Sequence, residues 1–212
     1  GISNVSTEDV VYAGELGYRI KHLGIARRTD NGIEMRVHPT LIPEKRLIAN
    51  VDGVMNAILV MADKLGPSLY YGPGAGADPT ASSVVADIID VVRTITTDAE
   101  NRVPHLAFQP EHIVDIPILP IGEATTAYYL RMRADDKPGV LADITRIMGE
   151  SGISIEAILQ KEPEPGITQA TIIMLTQTIR EKQMDQALAK IAVLSSVDDK
   201  IHRIRVETLD AN

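Results

Sequence analysis

Residues 70–90, YYGPGAGADPTASSVVADIID, place Gly72, Gly74 and Gly76 between an apolar run and a long apolar segment entered through Asp78 and Pro79. A strand, a G-x-G-A-G loop and then a helix can bring backbone close to a flat or anionic ligand, because glycine lacks the Cβ that would block approach. A tight turn in which the glycines merely permit positive φ explains the same residues. The loop departs from the dinucleotide fingerprint G-x-G-x-x-G. No βαβ unit of the required length brackets it, and no ribose-binding acid follows at the expected distance.

A second candidate is DDKPGVLADI, from Asp135 to Ile144. Asp135 or Asp136 is expected to cap a helix, Pro138 suits its first turn, and Gly139 exposes backbone N–H groups at the helix start. Such an end can hold a carboxylate. A well-capped connection with no ligand accounts for the residues equally. His38, before Pro39 on a strand, reads as structural, and REKQMD at 180–185 as a solvated helix start.

Other chemistry finds little footing. The chain has no cysteine, which removes disulfides, thiolate metal sites and thiol nucleophiles. Its five histidines, His22, His38, His105, His112 and His202, are scattered, with no i, i+4 pair to suggest zinc. There is no G-x-S-x-G elbow, P-loop or H-E-x-x-H, and no acid–lysine pair near the glycine loop. A formal charge of −8 without a basic patch argues against nucleic acid or anionic lipid as partners. No membrane or secretion segment is evident, so a cytoplasmic protein is expected. The opening, which lacks a methionine and enters a helix at once, reads as a cut into a longer protein.

With 212 residues and 44% hydrophobic content, one large domain or two modest ones can form. Ser6 or Thr7 is expected to cap a first helix, with Glu8 and Asp9 in its first turn. YRIKHLGIARR from Tyr18, the turn TDNG and IEMRVHPTLI read as a hairpin. From Pro79 onward, Ala81, Val84, Val85, Ile88, Ile89, Val92 and Ile95 keep helical spacing over a wide apolar face, which predicts a deeply packed helix.

Between about 98 and 123 the texture becomes extended and proline-rich, placing a linker at 101–123 between a segment 1–100 and a domain 124–208. The last part alternates strand, helix, strand, strand, helix, strand. This βαββαβ order gives an antiparallel four-stranded sheet with two helices on one face, the ferredoxin-like arrangement. Val140, Leu141, Ile144, Ile147 and Met148 stripe its first helix, and Met184, Ala187, Leu188 and Ile191 its second. So small a core suggests pairing with a second copy.

These pieces resemble a known family. GISNVSTEDVVYAGELGYRIKHLGIARR, RVHPTLIP, NVDGVMNAILV and YYGPGAGADPTASSVVADIID are similar to the second half of bacterial homoserine dehydrogenase, and LRMRADDKPGVLADITRIMGESGISIEAILQ resembles its ACT regulatory domain. The resemblance implies an α/β (α+β) chain: a mixed-sheet substrate and dimerisation segment over 1–100, then a ferredoxin-like ACT domain over 124–208. It implies an NADP- or NAD-dependent oxidoreductase that interconverts L-aspartate 4-semialdehyde and L-homoserine on the branch to threonine, methionine and isoleucine.

In that family the catalytic lysines, aspartate and substrate-binding glutamate precede the segment matching Gly1, so no catalytic residue is assigned and the chain alone is expected to be inactive. The family's G-x-G-A-G loop maps onto Gly74, Ala75 and Gly76, with Gly76 at the nicotinamide end of the cofactor. Effector contacts map onto Asp136, Pro138, Gly139, Val140 and Leu141, with threonine the expected inhibitor. A homo-oligomer, dimer or tetramer, is implied. The alternative is a stand-alone amino-acid-binding module without catalysis, and a third reading leaves the first segment as a dimerisation scaffold only.

Overall fold

The computed structural model describes residues 1–97, 107–161, 166–198 and 200–209. Two compact units emerge: residues 1–49 with 117–209, and residues 50–116.

The first unit begins with helix α1 (Thr7–Glu15), capped reciprocally by Ser6 and Asp9. The Asp9 amide donates to Ser6 Oγ at 3.2 Å, and the Ser6 amide donates to Asp9 Oδ2 at 2.9 Å. This is the capping box, which satisfies two orphan donors at once. Strands β1 (Tyr18–Thr29) and β2 (Gly32–Pro43) pair antiparallel from Thr29 opposite Gly32 onward, as the TDNG signal predicts. Gly32 has a further reason to be glycine. A Cβ there would stand 2.3 Å from the Pro117 carbonyl oxygen, which accepts a hydrogen bond from the Ile33 amide at 2.9 Å. The end of the expected linker is thus fastened to β2.

Residues 125–206 supply β5 (Thr125–Asp135), α3 (Val140–Glu150), β6 (Ile155–Lys161), β7 (Gln169–Thr176), the short β8 (Ile179–Arg180), α4 (Glu181–Ile191) and β9 (His202–Val206). The sheet runs β1-β2-β9-β5-β7-β6, with β8 pairing the start of β5. Within it β9-β5-β7-β6 is the expected ferredoxin-like set. The hairpin extends this set through a parallel β2–β9 contact, Thr40 to Arg205 and Leu41 to Val206.

Residue alternation along the strands fills both faces. Tyr128, Leu130, Met132, Ile172 and Met174 pack with Ile144, Met148, Met184 and Ile191 beneath α3 and α4. On the opposite face Tyr129, Ile173, Leu175, Ile204 and Val206 pack with Leu41 and with Ala13 of α1. The sequence division at 100 and 124 therefore separates elements that share one core. The chain's own N-terminal helix and hairpin complete the ACT sheet, a long-range pairing that no local pattern encodes.

The second unit contains an antiparallel ribbon, β3 (Met55–Ala62) and β4 (Gly66–Pro73), and helix α2 (Ala77–Ile95). The expectation of a deeply packed α2 is overturned. None of its residues is buried; Val84 is 52% exposed, Ile88 57% and Val92 54%. The spacing of apolar residues fixes which side of a helix is apolar, but burial needs a facing surface. The described part of this unit provides α2 with none. No helix among the described residues is long and apolar enough to cross a membrane.

Candidate cofactor loop and effector turn

The glycine loop joins β4 to α2. Its three glycines differ in what they require. Gly72 has no atom within 4 Å of an added Cβ. At Gly74 an added Cβ would fall 1.4 Å from Asn56 Nδ2 on β3, and the Gly74 amide donates to the Val54 carbonyl at 2.9 Å. Gly76 is the N-cap of α2 with φ 128° and ψ 152°, a region open essentially to glycine alone. No side chain caps α2, and residues 73–78 are exposed. The loop therefore offers bare backbone at the positive end of a helix dipole. Asp78 in the first turn is the acidic group nearest that end in sequence.

The candidate effector turn is built differently from the expectation. Neither Asp135 nor Asp136 caps α3. Its N-cap is Gly139, left-handed at φ 95°, with no side-chain cap bond. Asp135 is instead drawn to Lys137 Nζ at 2.7 Å, and Asp136 Oδ1 accepts from Gln160 Nε2 at 3.3 Å. The backbone explains this arrangement. The Asp135 amide donates to the Ser196 carbonyl and the Asp136 amide to the Thr168 carbonyl, so both residues still follow the sheet and lie short of the helix mouth. Pro138 and Gly139 are exposed, Val140 is buried in the core beneath α3, and Leu141 packs against that core. Asp136, Pro138 and Gly139 thus form the open part of the turn, while the Val140 and Leu141 side chains belong to the fold. The glycine loop and this turn lie in different compact units.

Sequence reasoning missed the buried ionic centres. On β5, Arg131 reaches α1: its Nε donates to Asp9 Oδ1 at 2.6 Å, one terminal nitrogen to Ser6 Oγ at 2.9 Å and the other to Glu8 Oε2 at 2.7 Å. Tyr129 Oη adds a bond to Asp9 Oδ1 at 3.1 Å. Burial alone would raise the Asp9 carboxyl; hydrogen bonds from Arg131 and from the Ser6 amide and hydroxyl more than offset it and hold it at about 2. On the α3/α4 face, buried Glu181 accepts from Tyr128 Oη at 2.8 Å and Arg205 Nε at 2.8 Å. Burial opposes its ionisation, and the bonds from Arg205 and Tyr128 prevail, lowering its pKa. A signal existed: Arg131 interrupts an otherwise apolar run in TTAYYLRMRA.

His38 is buried, with Nδ1 3.0 Å from Thr40 Oγ1. Burial, its largest influence, lowers its pKa. This agrees with a structural role. Among the described residues no group of three or more His, Asp or Glu side chains is placed to hold a metal.

Residues 128–195 match the model of the ACT domain, so the βαββαβ part defines an ACT-domain protein. Residues 1–89 match the model of homoserine dehydrogenase, and the chain belongs to the homoserine dehydrogenase family. The homoserine dehydrogenase of Pseudomonas aeruginosa is 57% identical over 210 residues, covering 99% of this chain and 48% of the relative. That of Neisseria gonorrhoeae is 53% identical over 212 residues, with 99% and 48% covered. The crystal structure of a homoserine dehydrogenase from Thiobacillus denitrificans superposes with a TM-score of 0.91 at 61% identity, covering 99% of this chain and 47% of that one. The chain spans about half the length of the curated relatives it matches.

Proposed function

We propose that this chain serves within a cytoplasmic, homo-oligomeric homoserine dehydrogenase that interconverts L-aspartate 4-semialdehyde and L-homoserine with NADP or NAD. In that enzyme Gly74, Ala75 and Gly76 form one wall of the site, against the nicotinamide end of the cofactor. The observation that carries this reading is the glycine-only backbone at Gly76, which leaves the uncapped mouth of α2 open. A flat ring needs such a surface: bare backbone with no side chain larger than the Ala75 methyl. The cofactor, when bound, supplies the hydride. The chain's own contribution is to orient it and to exclude side chains from its face.

The test is Gly76→Val in the complete enzyme. A raised KM for the nicotinamide cofactor, or lost turnover with folding intact, is expected. Unchanged kinetics would remove the loop from the site.

The turn formed by Asp136, Pro138 and Gly139 is the proposed effector site, with L-threonine as the inhibitor. The mouth of α3 receives the carboxylate and Asp136 the ammonium, opposite ends of one zwitterion meeting opposite charges. Val140 and Leu141 contribute backbone there, since their side chains are engaged in packing. For regulation, threonine must bind one conformation more tightly than the other. Calorimetry with threonine, methionine, isoleucine and lysine checks this; no heat from any of them would overturn the sensor reading. The exposed apolar side of α2 supports assembly into a homo-oligomer, and light scattering that returned a monomer would refute it.

A further inference from the structure

A cleft of about 520 Å³ lies between α1 and the ACT sheet, on the face opposite α3 and α4. Its floor is a row across three strands: Arg133 on β5 pairs in register with Thr171 on β7, which pairs with Lys161 on β6. The row presents cation, hydroxyl, cation. Its roof is the side of α1 carrying Glu8, Tyr12 and Glu15, whose spacing puts them on neighbouring turns. Glu8 lies 3.4 Å from Arg133, and Glu15 lies 2.8 Å from Lys161. Lys161 Nζ also stands 5.7 Å from the centre of the Tyr12 ring. Val11 and Ile167 add an exposed apolar margin.

We propose that this cleft binds a small α-amino acid as its zwitterion, and that the ligand bridges α1 and the ACT sheet. Two cations and two carboxylates face each other across it, a balance that disfavours polyanions and suits a ligand carrying one charge of each sign. The carboxylate meets Arg133 and Lys161 with the Thr171 hydroxyl between them. The ammonium meets Glu8 and Glu15, and the side chain lies along Val11 and Ile167. All four charged side chains are roughly half exposed, and such water-screened pairs are weak. A ligand can therefore replace the Glu8 Oε1–Arg133 and Glu15–Lys161 contacts, while Glu8 Oε2 keeps its 2.7 Å bond to Arg131. Arg131, two residues from Arg133 along β5, is different: it is buried on Asp9 and belongs to the framework. This site lies on the other face of the sheet from the turn at Asp136, goes beyond the effector reading given for that turn, and does not depend on it. Its position also gives it a role the turn lacks, since its ligand touches at once the segment matched to homoserine dehydrogenase and the segment matched to the ACT domain.

The experiment is a titration of the isotope-labelled full chain with L-threonine, L-isoleucine and L-methionine, followed by amide shifts and calorimetry. Variants Lys161→Met, Thr171→Val and Asp136→Asn are run in parallel, with circular dichroism as the folding control. At least one amino acid is expected to shift the amides of Tyr12, Lys161 and Thr171. The Kd read from those three amides should rise at least about tenfold in Lys161→Met and also in Thr171→Val, stay the same in Asp136→Asn whatever happens at 136–141, and rise when the N-acetyl derivative is used. Shifts confined to 136–141, with loss only in Asp136→Asn, would overturn the cleft and leave the effector turn standing. Equal binding of the N-acetyl derivative would overturn the zwitterion assignment. Absence of binding by all three amino acids would remove both sites.

Discussion

Arg131 and Asp9 are separated by 122 residues of sequence and joined by a hydrogen bond of 2.6 Å. Their side chains are 4% and 0% exposed. The pair fastens α1 to the central strand of the ACT sheet, and Asp9 serves the helix cap and the ion pair with the same carboxylate.

Removing one partner should therefore cost far more than removing a neighbour at the rim. Arg131→Met leaves a buried carboxylate without its countercharge and is expected to lose about 3–5 kcal/mol. Glu8→Gln, half exposed, should lose about 1 kcal/mol or less. Urea unfolding of both variants checks the ranking, and equal losses would contradict it.

Acid should act through the same group. A carboxyl held at about 2 in the fold against an ordinary 3.8 contributes stability that is fully present above about pH 4 and is lost as the pH falls through about 2. That contribution is about 2 kcal/mol. Urea midpoints at pH 7, 4, 3 and 2 should fall more steeply in the native chain than in Asp9→Asn, and parallel curves would remove Asp9 from the acid response.

The loop glycines should separate cleanly. Gly76→Ala puts a side chain into a glycine-only conformation beside the Pro79 ring, 3.3 Å from its Cδ, at about 1–3 kcal/mol. Gly74→Ala collides chiefly with the exposed side chain of Asn56, so adding Asn56→Ala should restore most of its loss. Hydrogen exchange across β3, β4 and α2 reads both effects. No rescue by the second substitution would refute the contact.

On the other face, Glu181→Gln weakens charge-assisted bonds to Tyr128, Arg203 and Arg205 and should cost about 1.5–3 kcal/mol. Tyr128→Phe removes one bond and should cost less, about 1 kcal/mol. Thermal unfolding that reversed this order would show that Glu181 is not the centre of the network.

Much of the fold was legible because it is written in short periods. Ser6 and Asp9 stand three residues apart, as a capping box requires, and Tyr18–Pro43 announces its hairpin with the TDNG turn and its Asn31-Gly32 signal. The stripes on α3 and α4 and the alternation on β5 and β7 specify two helices over a sheet. The two-residue β8 carried no such signal. Of the candidate sites, the conformational demand at Gly76 was readable as a glycine before a helix; the demand at Gly74 was not, because it comes from Asn56 on a neighbouring strand. The capping role expected of Asp135 and Asp136 failed for a similar reason: carbonyls of Ser196 and Thr168 hold both residues in line with the sheet.

Spacing and periodicity determined the ferredoxin-like order and the glycine loop before α2, since each depends on residues a few positions apart; the family resemblance rests instead on matching segments along nearly the whole chain. Only the tertiary structure decided that α1 and the β1–β2 hairpin complete the ACT sheet, that Asp9 meets Arg131, and that the apolar stripe of α2 is left uncovered. Those outcomes depend on which surfaces meet, and a single strand or helix carries its pattern without naming the surface that will cover it.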